Sequence, residues 1–292
     1  MERNSKRQQD KDDKIMKRSR ILFSCTVLAL FLNYISQAAA SIDISGYDSG
    51  GNFTGLAVDP VDHHVFLTGL GYGGGPKLWE FAADGTLVSA IIPIGLQPLD
   101  EIQSIVVGKN SHLLITVVYL INMTEGTYEW RLVEIDRAGT TVYSSFTLAR
   151  FTTVGGCDPV LGKLFLYLFN TRTVFETTAE GSVISSFDAT LQVGPVNSLL
   201  YDITYNPLTQ AVYGAYMTPK GFVLVEYKEY DQTKWRMSRM FDLSSTGLSE
   251  TFSLDIDPST GLFYMQDMSR IVSFSLNDLT KLTPAFKKVP GR

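Results

Sequence analysis

Short apolar runs rich in β-branched and aromatic residues recur along the chain from residue 53 onward, and turn-forming residues separate them. In the first stretch, Phe53–Val58 reads as a strand, Asp59–His64 as a turn and Val65–Thr68 as a second strand. Leu78–Phe81 is a third strand, Ala83-Asp84-Gly85 a hairpin turn, and Thr86–Ile92 a fourth strand. No convincing 3.6-residue period appears in it, so the pattern predicts strands rather than helices.

This grammar repeats. Asp59-Pro60, Asp158-Pro159, Asn206-Pro207 and Asp257-Pro258 each follow an apolar run, and Gly108-Lys109-Asn110 fills the second slot. The spacings are then 49, 50, 48 and 51 residues. A second column agrees with the first. Glu80, Glu134, Glu176, Glu226 and finally Ser273 each sit inside an apolar tetrapeptide. Each is followed five residues later by Gly85, Gly139, Gly181, Asp231 or Asp278. Two columns in one register predict five four-stranded units, each the size of a propeller blade. The expected architecture is all-β, a single five-bladed propeller over 53–286. Residues 41–52 are expected to add an edge strand that helps close the ring, and 287–292 to form a loose tail.

The blade frame is carried by Gly55-Leu56-Ala57-Val58-Asp59-Pro60 leading to Val65-Phe66, and by Leu254-Asp255-Ile256-Asp257-Pro258 leading to Phe263-Tyr264. It resembles the broad superfamily of NHL-, YWTD- and gluconolactonase-type propellers. The resemblance spans residues 53–286 and implies the fold, not an activity. The YWTD tetrapeptide is absent, and typical members have six blades. The Glu, Asn and Asp metal set that a gluconolactonase-type site implies does not map residue by residue onto this chain.

Charge divides the sequence. Residues 1–20 hold eight Lys/Arg against four Asp/Glu, and 21–40 hold no charge. Lys17-Arg18-Ser19-Arg20, the apolar run Ile21–Ile35 and Ala38-Ala39-Ala40 read as a secretory signal cleaved before Ser41, with Met16 as an alternative start. A secreted, extracellular or periplasmic protein is expected. The alternative is a single-pass anchored form that keeps Ile21–Ile35, which is the only route to a membrane. The remaining 17 basic and 26 acidic side chains give residues 41–292 a net charge of −9, which argues against nucleic acid as a partner. Of the two cysteines, only Cys157 lies beyond the leader, so the exported chain has no internal disulfide, and this residue reads as a buried, inert thiol.

The innermost strand of each blade ends at the anchor residue. One and three positions before it, residues such as Leu56, Val58, Ile203, Tyr205, Leu254 and Ile256 are apolar and expected between blades. Two and four positions before it they are small or polar, and this face is expected to meet the central channel. Asp202 and Asp255 then fall in adjacent blades with Thr204 and Ser253 nearby. Such a set could hold a hard cation such as Ca²⁺, or work as an acid/base pair. The alternative is a structural role, with the carboxylates hydrated or accepting backbone N–H bonds. The repeated Glu column is expected to stabilise each blade, because a buried carboxylate in every copy needs a partner in every copy.

Gly69–Gly74 matches G-x-G-x-x-G, but Pro76 and a strand follow where a dinucleotide site needs a helix. His63, His64 and His112 read as exposed turn residues. Loops at the channel mouth, above all Tyr119–Trp130, with Tyr72, Tyr119, Arg172, Tyr216 and Lys220, are expected to contact a protein or carbohydrate ligand. Asn122 and Asn52 lie in N-glycosylation sequons, relevant in a eukaryotic host. Nucleophile-elbow, zincin and phosphate-loop patterns are absent. The expected function is therefore an exported interaction module without chemistry of its own. The alternative is a metal-dependent hydrolase of a lactone, ester or glycoside, with Asp202 and Asp255 at the mouth.

Overall fold

The structure, a computed structural model, describes residues 41–47, 53–69, 75–193, 196–231, 234–248 and 253–282. The Asn-Phe-Thr sequon residue Asn52, the glycine loop with Tyr72, the tail and the apolar leader lie outside these residues. Among the described residues no helix is long and apolar enough to cross a membrane.

Five antiparallel sheets follow one another along the chain. Their innermost strands are Phe53–Val58, Glu101–Val107, Thr152–Asp158, Leu199–Asn206 and Ser253–Asp257. Each packs against the next and the last against the first, so the sheets close into a five-bladed β-propeller. The anchor turns explain the sequence period. Asp59, Asp158, Asn206 and Asp257 each turn a side-chain oxygen back to accept the amide two residues on, at 2.9–3.0 Å. Asx turns of this kind reverse the chain between first and second strands. In the second blade a short 3-10 turn, Lys109–Ser111, does the same work, with Asn110 and Ser111 at φ +58°.

Apolar residues fill the five seams between blades. Leu56 and Val58 pack with Phe81 and Ile271 at the closure, Ile203 and Tyr205 with Phe165 and Val225, and Leu254 and Ile256 with Tyr213 and Phe241. These are the columns one and three before the anchor. They face the preceding blade, as the alternation predicts.

Both ends of the ring depart from a simple five-fold repeat. Ser41–Asp43 pairs with Arg270–Phe274 and supplies the outermost strand of the fifth blade. The strand expected there after Asp278, Thr280–Leu282, crosses instead to the outer edge of the fourth blade and pairs with Met240–Asp242. The place it would take is filled by the N-terminal strand, whose Ile42 and the following Ile44 are buried. An edge that would otherwise be open is thereby paired.

The Glu column makes one motif in three copies, spanning three strands. Glu80 meets His64 at 2.6 Å and Ser89 at 3.2 Å. Glu134 meets His112 at 2.8 Å and Ser144 at 2.9 Å, and Glu176 meets Lys163 at 2.5 Å and Ser185 at 2.7 Å. In the fourth blade Ala211 stands where the cation would be, and the Arg239 guanidinium and the Tyr213 hydroxyl hold Glu226 instead. Burial works against the Glu226 carboxylate, but Arg239 and Tyr213 keep it below its usual range. The histidines are thus blade-stabilising partners rather than free turn residues, and His63 likewise bonds Asp257 at 2.7 Å.

Candidate functional site

The second and fourth positions before each anchor point into the seams between innermost strands, not straight into the channel. There they meet the backbone of the next blade. The Asp255 Oδ2 accepts the Val58 amide at 2.8 Å, and Asp202 Oδ2 accepts the Leu254 amide at 3.0 Å. Ser104 and Thr116, bonded to each other at 2.9 Å, both accept the Val154 amide. Ser253 donates to the Thr54 carbonyl and Thr54 to the Ile102 carbonyl. The expected channel-facing orientation is corrected for a physical reason. Innermost strands of neighbouring blades are not in one sheet, so their inward amides have no ladder partner, and side chains satisfy them.

Of the four predicted residues the structure joins two directly, Thr204 and Asp255, while Asp202 bonds the strand of Asp255 through Leu254 and Ser253 turns to the Thr54 carbonyl. The Thr204 hydroxyl donates to Asp255 Oδ1 at 2.7 Å, while Asp202 Oδ1 accepts the Ile203 amide at 2.8 Å. Asp255 is 8% exposed and Asp202 is half-buried. Burial pushes Asp202 up to about 8, against two amide donors, and the charge of Asp255 adds to the rise. Burial pushes Asp255 up to about 7, against Thr204 and Val58, with Asp257 adding. Burial thus raises the proton affinity of both carboxyls toward neutral pH.

The donor set does not fit a cation. Every carboxylate oxygen of the pair already accepts an N–H or O–H donor. The described residues hold no group of three His, Cys, Asp or Glu side chains placed to bind a metal. A calcium site needs six or more oxygens free to turn toward the ion.

The mouth carries a feature that the strand pattern did not reveal. In the first, second and fourth blades a β-bulge falls five positions before the anchor, at Thr54, Gln103 and Tyr201. Each bulge frees one residue from the ladder and re-aims its side chain. Gln103 bonds Glu101 at 2.8 Å, and the Tyr201 hydroxyl lies 3.7 Å from the Met217 sulfur. The recurrence of a polar residue at that one offset was the available signal. Gln266, buried at the mouth end of the last seam, has both amide atoms without a hydrogen-bond partner.

The predicted contact residues scatter. Tyr216 is fully buried, its hydroxyl bonded to the Ala189 carbonyl at 2.6 Å and to the Tyr227 hydroxyl, so it is a core residue and not a contact. Tyr119 is half-buried beneath the Arg131 guanidinium. Lys220 is exposed in a tight turn, and Arg172 is half-buried with φ +55°. The segment 119–130 is no loose loop. Leu113–Asn122 and Thr127–Ile135 form one long hairpin whose tip is 123–126, and the Asn122 side-chain oxygen Oδ1 accepts the Thr124 amide at 3.0 Å. Cys157 is a free, half-buried cysteine whose thiol is pushed up to about 12 by burial, with Asp158 adding.

No protein-family model and no curated protein matches the chain. Solved structures do. A luciferin-regenerating enzyme superposes with a TM-score of 0.50 at 8% identity, covering 84% of this chain and 98% of that one. A gluconolactonase from Xanthomonas campestris gives 0.46 at 10% identity, covering 76% and 71%. The soluble aldose sugar dehydrogenase from Escherichia coli gives 0.46 at 10% identity, covering 85% and 100%. The expectation of an interaction module without chemistry is corrected here: the structure that matches at 0.50 is an enzyme, and the mouth holds an ionisable carboxyl pair. At such low identity the shared property is the fold, and this chain is a five-bladed β-propeller of that general architecture.

Proposed function

We propose that the protein is a hydrolase of a lactone or ester, acting at the channel mouth through Asp202 with Asp255 behind it. The observation that supports this reading is the pair itself: two carboxyls on adjacent innermost strands, pushed up to about 8 and about 7 by burial. A general base works best when its pKa lies near the working pH. Asp202 is the more open of the two and is the residue assigned to meet substrate. In its ionised form it takes a proton from water as the water oxygen attacks the acyl carbon. The same proton then passes to the leaving alkoxide as the tetrahedral intermediate collapses. Asp255 is a positioning residue: its charge raises the proton affinity of Asp202, and its bonds to Thr204 and Val58 fix the strand on which Leu254 holds Asp202. Acyl chemistry fits better than glycoside cleavage, because the two carboxyls sit in successive seam walls rather than across a cleft.

The test is hydrolysis of sugar lactones and aryl esters by the full chain between pH 6 and 9. The rate should rise through about pH 8 and fall by at least ~100-fold in Asp202→Asn. A panel without turnover, or an Asp202→Asn variant as active as the parent, overturns the reading.

A further inference from the structure

The middle hairpin of the second blade rises past the rest of its sheet. Glu101, the first residue of the innermost strand, pairs with Val118, and Leu148, the last of the outer strand, pairs with Trp130. Residues 119–129 therefore stand beyond both neighbours as a two-stranded ribbon. Residues 123–128 along its tip are all exposed. A Cβ on Gly126 would meet nothing within 4 Å, so the tip stands in open space.

A β-bulge sets the direction of the residue that ends the first strand of this ribbon. Leu120 pairs with Tyr128 and Asn122 with Thr127, which leaves Ile121 without a partner. Residues directly opposite in an antiparallel ladder share a face, and so do alternate residues along one strand. Simple alternation would place Asn122 with Leu120 on the face of Tyr128 and Trp130. The extra residue moves it to the other face, with Thr127, Glu129 and Arg131. The Arg131 guanidinium lies over Tyr119, the cross-strand partner of Glu129, as that assignment of faces requires.

The turn then fixes the Asn122 carboxamide. Its Oδ1 accepts the Thr124 amide at 3.0 Å and the Glu125 amide at 3.3 Å. With the oxygen held inside the turn, Nδ2 on the other side of Cγ is directed away from it. Both bonds use main-chain donors, and the Thr124 side chain is exposed. Asn122-Met123-Thr124 thus presents the carboxamide nitrogen and the hydroxyl of its sequon where added bulk displaces no other part of the protein.

The sequon Asn52-Phe53-Thr54 has its two described residues committed to the fold. Phe53 is 4% exposed in the cluster with Leu56 and Trp79. The Thr54 hydroxyl donates to the Ile102 carbonyl and lies 3.2 Å from that of Thr68.

We infer that Asn122 carries an N-linked oligosaccharide, attached at the export membrane of a eukaryotic host, and that Asn52 carries none. The secretory leader expected from the sequence is what brings the chain to that membrane. In the transfer, Nδ2 forms a bond to the anomeric carbon of a polyprenyl-diphosphate-linked oligosaccharide. The bond from that carbon to the diphosphate oxygen breaks, and the diphosphate leaves with the electron pair. One amide proton passes to a base of the membrane's transferase. The sugar stands on the Thr127 face of the hairpin, turned away from Tyr128 and Trp130.

The full chain is translated with endoplasmic-reticulum microsomes and run on a gel before and after endoglycosidase, with protease protection to report import. The imported chain should show one upward step in mass, which the endoglycosidase removes. The step should vanish in Asn122→Gln. It should vanish also in Thr124→Val, which keeps the main-chain bonds to Oδ1, and persist in Thr124→Ser, which keeps the hydroxyl. An imported chain without the step overturns the inference, and so does a chain that is not imported. A step that survives Asn122→Gln, or two steps in the parent, assigns sugar to Asn52 and overturns the inference as well.

Discussion

The Asp255 side chain crosses from the innermost strand of the fifth blade to the Val58 amide of the first, at 2.8 Å. Its other oxygen accepts from Thr204 in the fourth blade at 2.7 Å. One carboxyl thus ties three blades together at the place where the ring closes. Replacing it by alanine leaves the buried Val58 amide and the Thr204 hydroxyl without an acceptor. Each such orphan costs about 1–3 kcal/mol, so Asp255→Ala should lose about 2–6 kcal/mol in denaturant unfolding. A loss under about 1 kcal/mol would show that water replaces the staple.

The same burial gives a pH dependence of definite sign. Asp202 and Asp255 hold protons in the folded chain up to about 8 and about 7, against 3.8 for the ordinary side chain. Between those limits the native state binds more protons than the unfolded one, so stability falls as pH rises. Their contribution is fully present below about 3.8 and is lost as pH passes through 7 and 8. The melting temperature should decline from pH 5 to pH 8.5, and the decline should flatten in an Asp202→Asn, Asp255→Asn double variant. A melting temperature that climbs over this range in the parent contradicts the assignment.

The Glu column supplies a graded series. Glu226 is fully buried and held by Arg239 and Tyr213, so Glu226→Ala strands a guanidinium and a phenol and should cost about 3–5 kcal/mol. Glu134 is half-exposed and pairs with His112, so Glu134→Ala should cost about 0.5–1 kcal/mol. Glu176, buried with a half-exposed lysine, should fall between them. Equal losses at all three positions would mean that the column acts through strand propensity rather than through its partners.

The blades were legible because their turns are local. A side-chain oxygen that accepts an amide two residues on leaves an Asp or Asn in the sequence at four of the five anchors, and hairpin turns leave a Gly or Asp. The Glu column was equally plain, and the requirement for a partner in each copy could be stated in advance. The partners' identity was not legible, since the slot is filled by His64, His112, Lys163 and then from another strand by Arg239. The seam bonds were less legible still. Val58 and Asp255 are 197 residues apart, and nothing in either neighbourhood announces that an amide needs a carboxylate. The strand after Asp278 has a normal blade pattern, and only competition with Ser41–Asp43 for one sheet edge sends it to the fourth blade. Tyr216 read as a mouth residue because its place near a turn was visible and its inward rotamer, bonded to Ala189, was not.

The N-terminal strand should be indispensable for that reason. Removing residues 41–47 uncovers the edge of Arg270–Phe274 and takes away buried Ile42 and Ile44. Unpaired edges of this kind recruit other chains. A chain lacking this segment should aggregate on concentration, whereas one that retains Ser41 onward should stay monomeric by light scattering. Unaltered size and melting in the shortened chain would show that another segment can take the edge.

The seam between the third and fourth blades is closed by absence of side chain rather than by a staple. A Cβ on Gly155 would stand 2.1 Å from the Ile203 side chain and 2.9 Å from its carbonyl oxygen, and one on Gly156 would stand 2.8 Å from the Tyr205 amide nitrogen. Both positions meet backbone of the facing strand at under 3 Å, and backbone cannot give way without opening the ring; Gly155 meets the buried Ile203 side chain as well. Overpacking typically costs about 1–3 kcal/mol, and contacts against backbone belong at the upper end. Gly155→Ala should therefore destabilise at least as much as Gly156→Ala. Because the displaced strand carries Asp202, either substitution should also lower any hydrolysis measured at a temperature where the variant is still folded. If Gly156→Ala is clearly the more damaging of the two, Ile203 repacks freely and the approach to Tyr205 alone governs this seam.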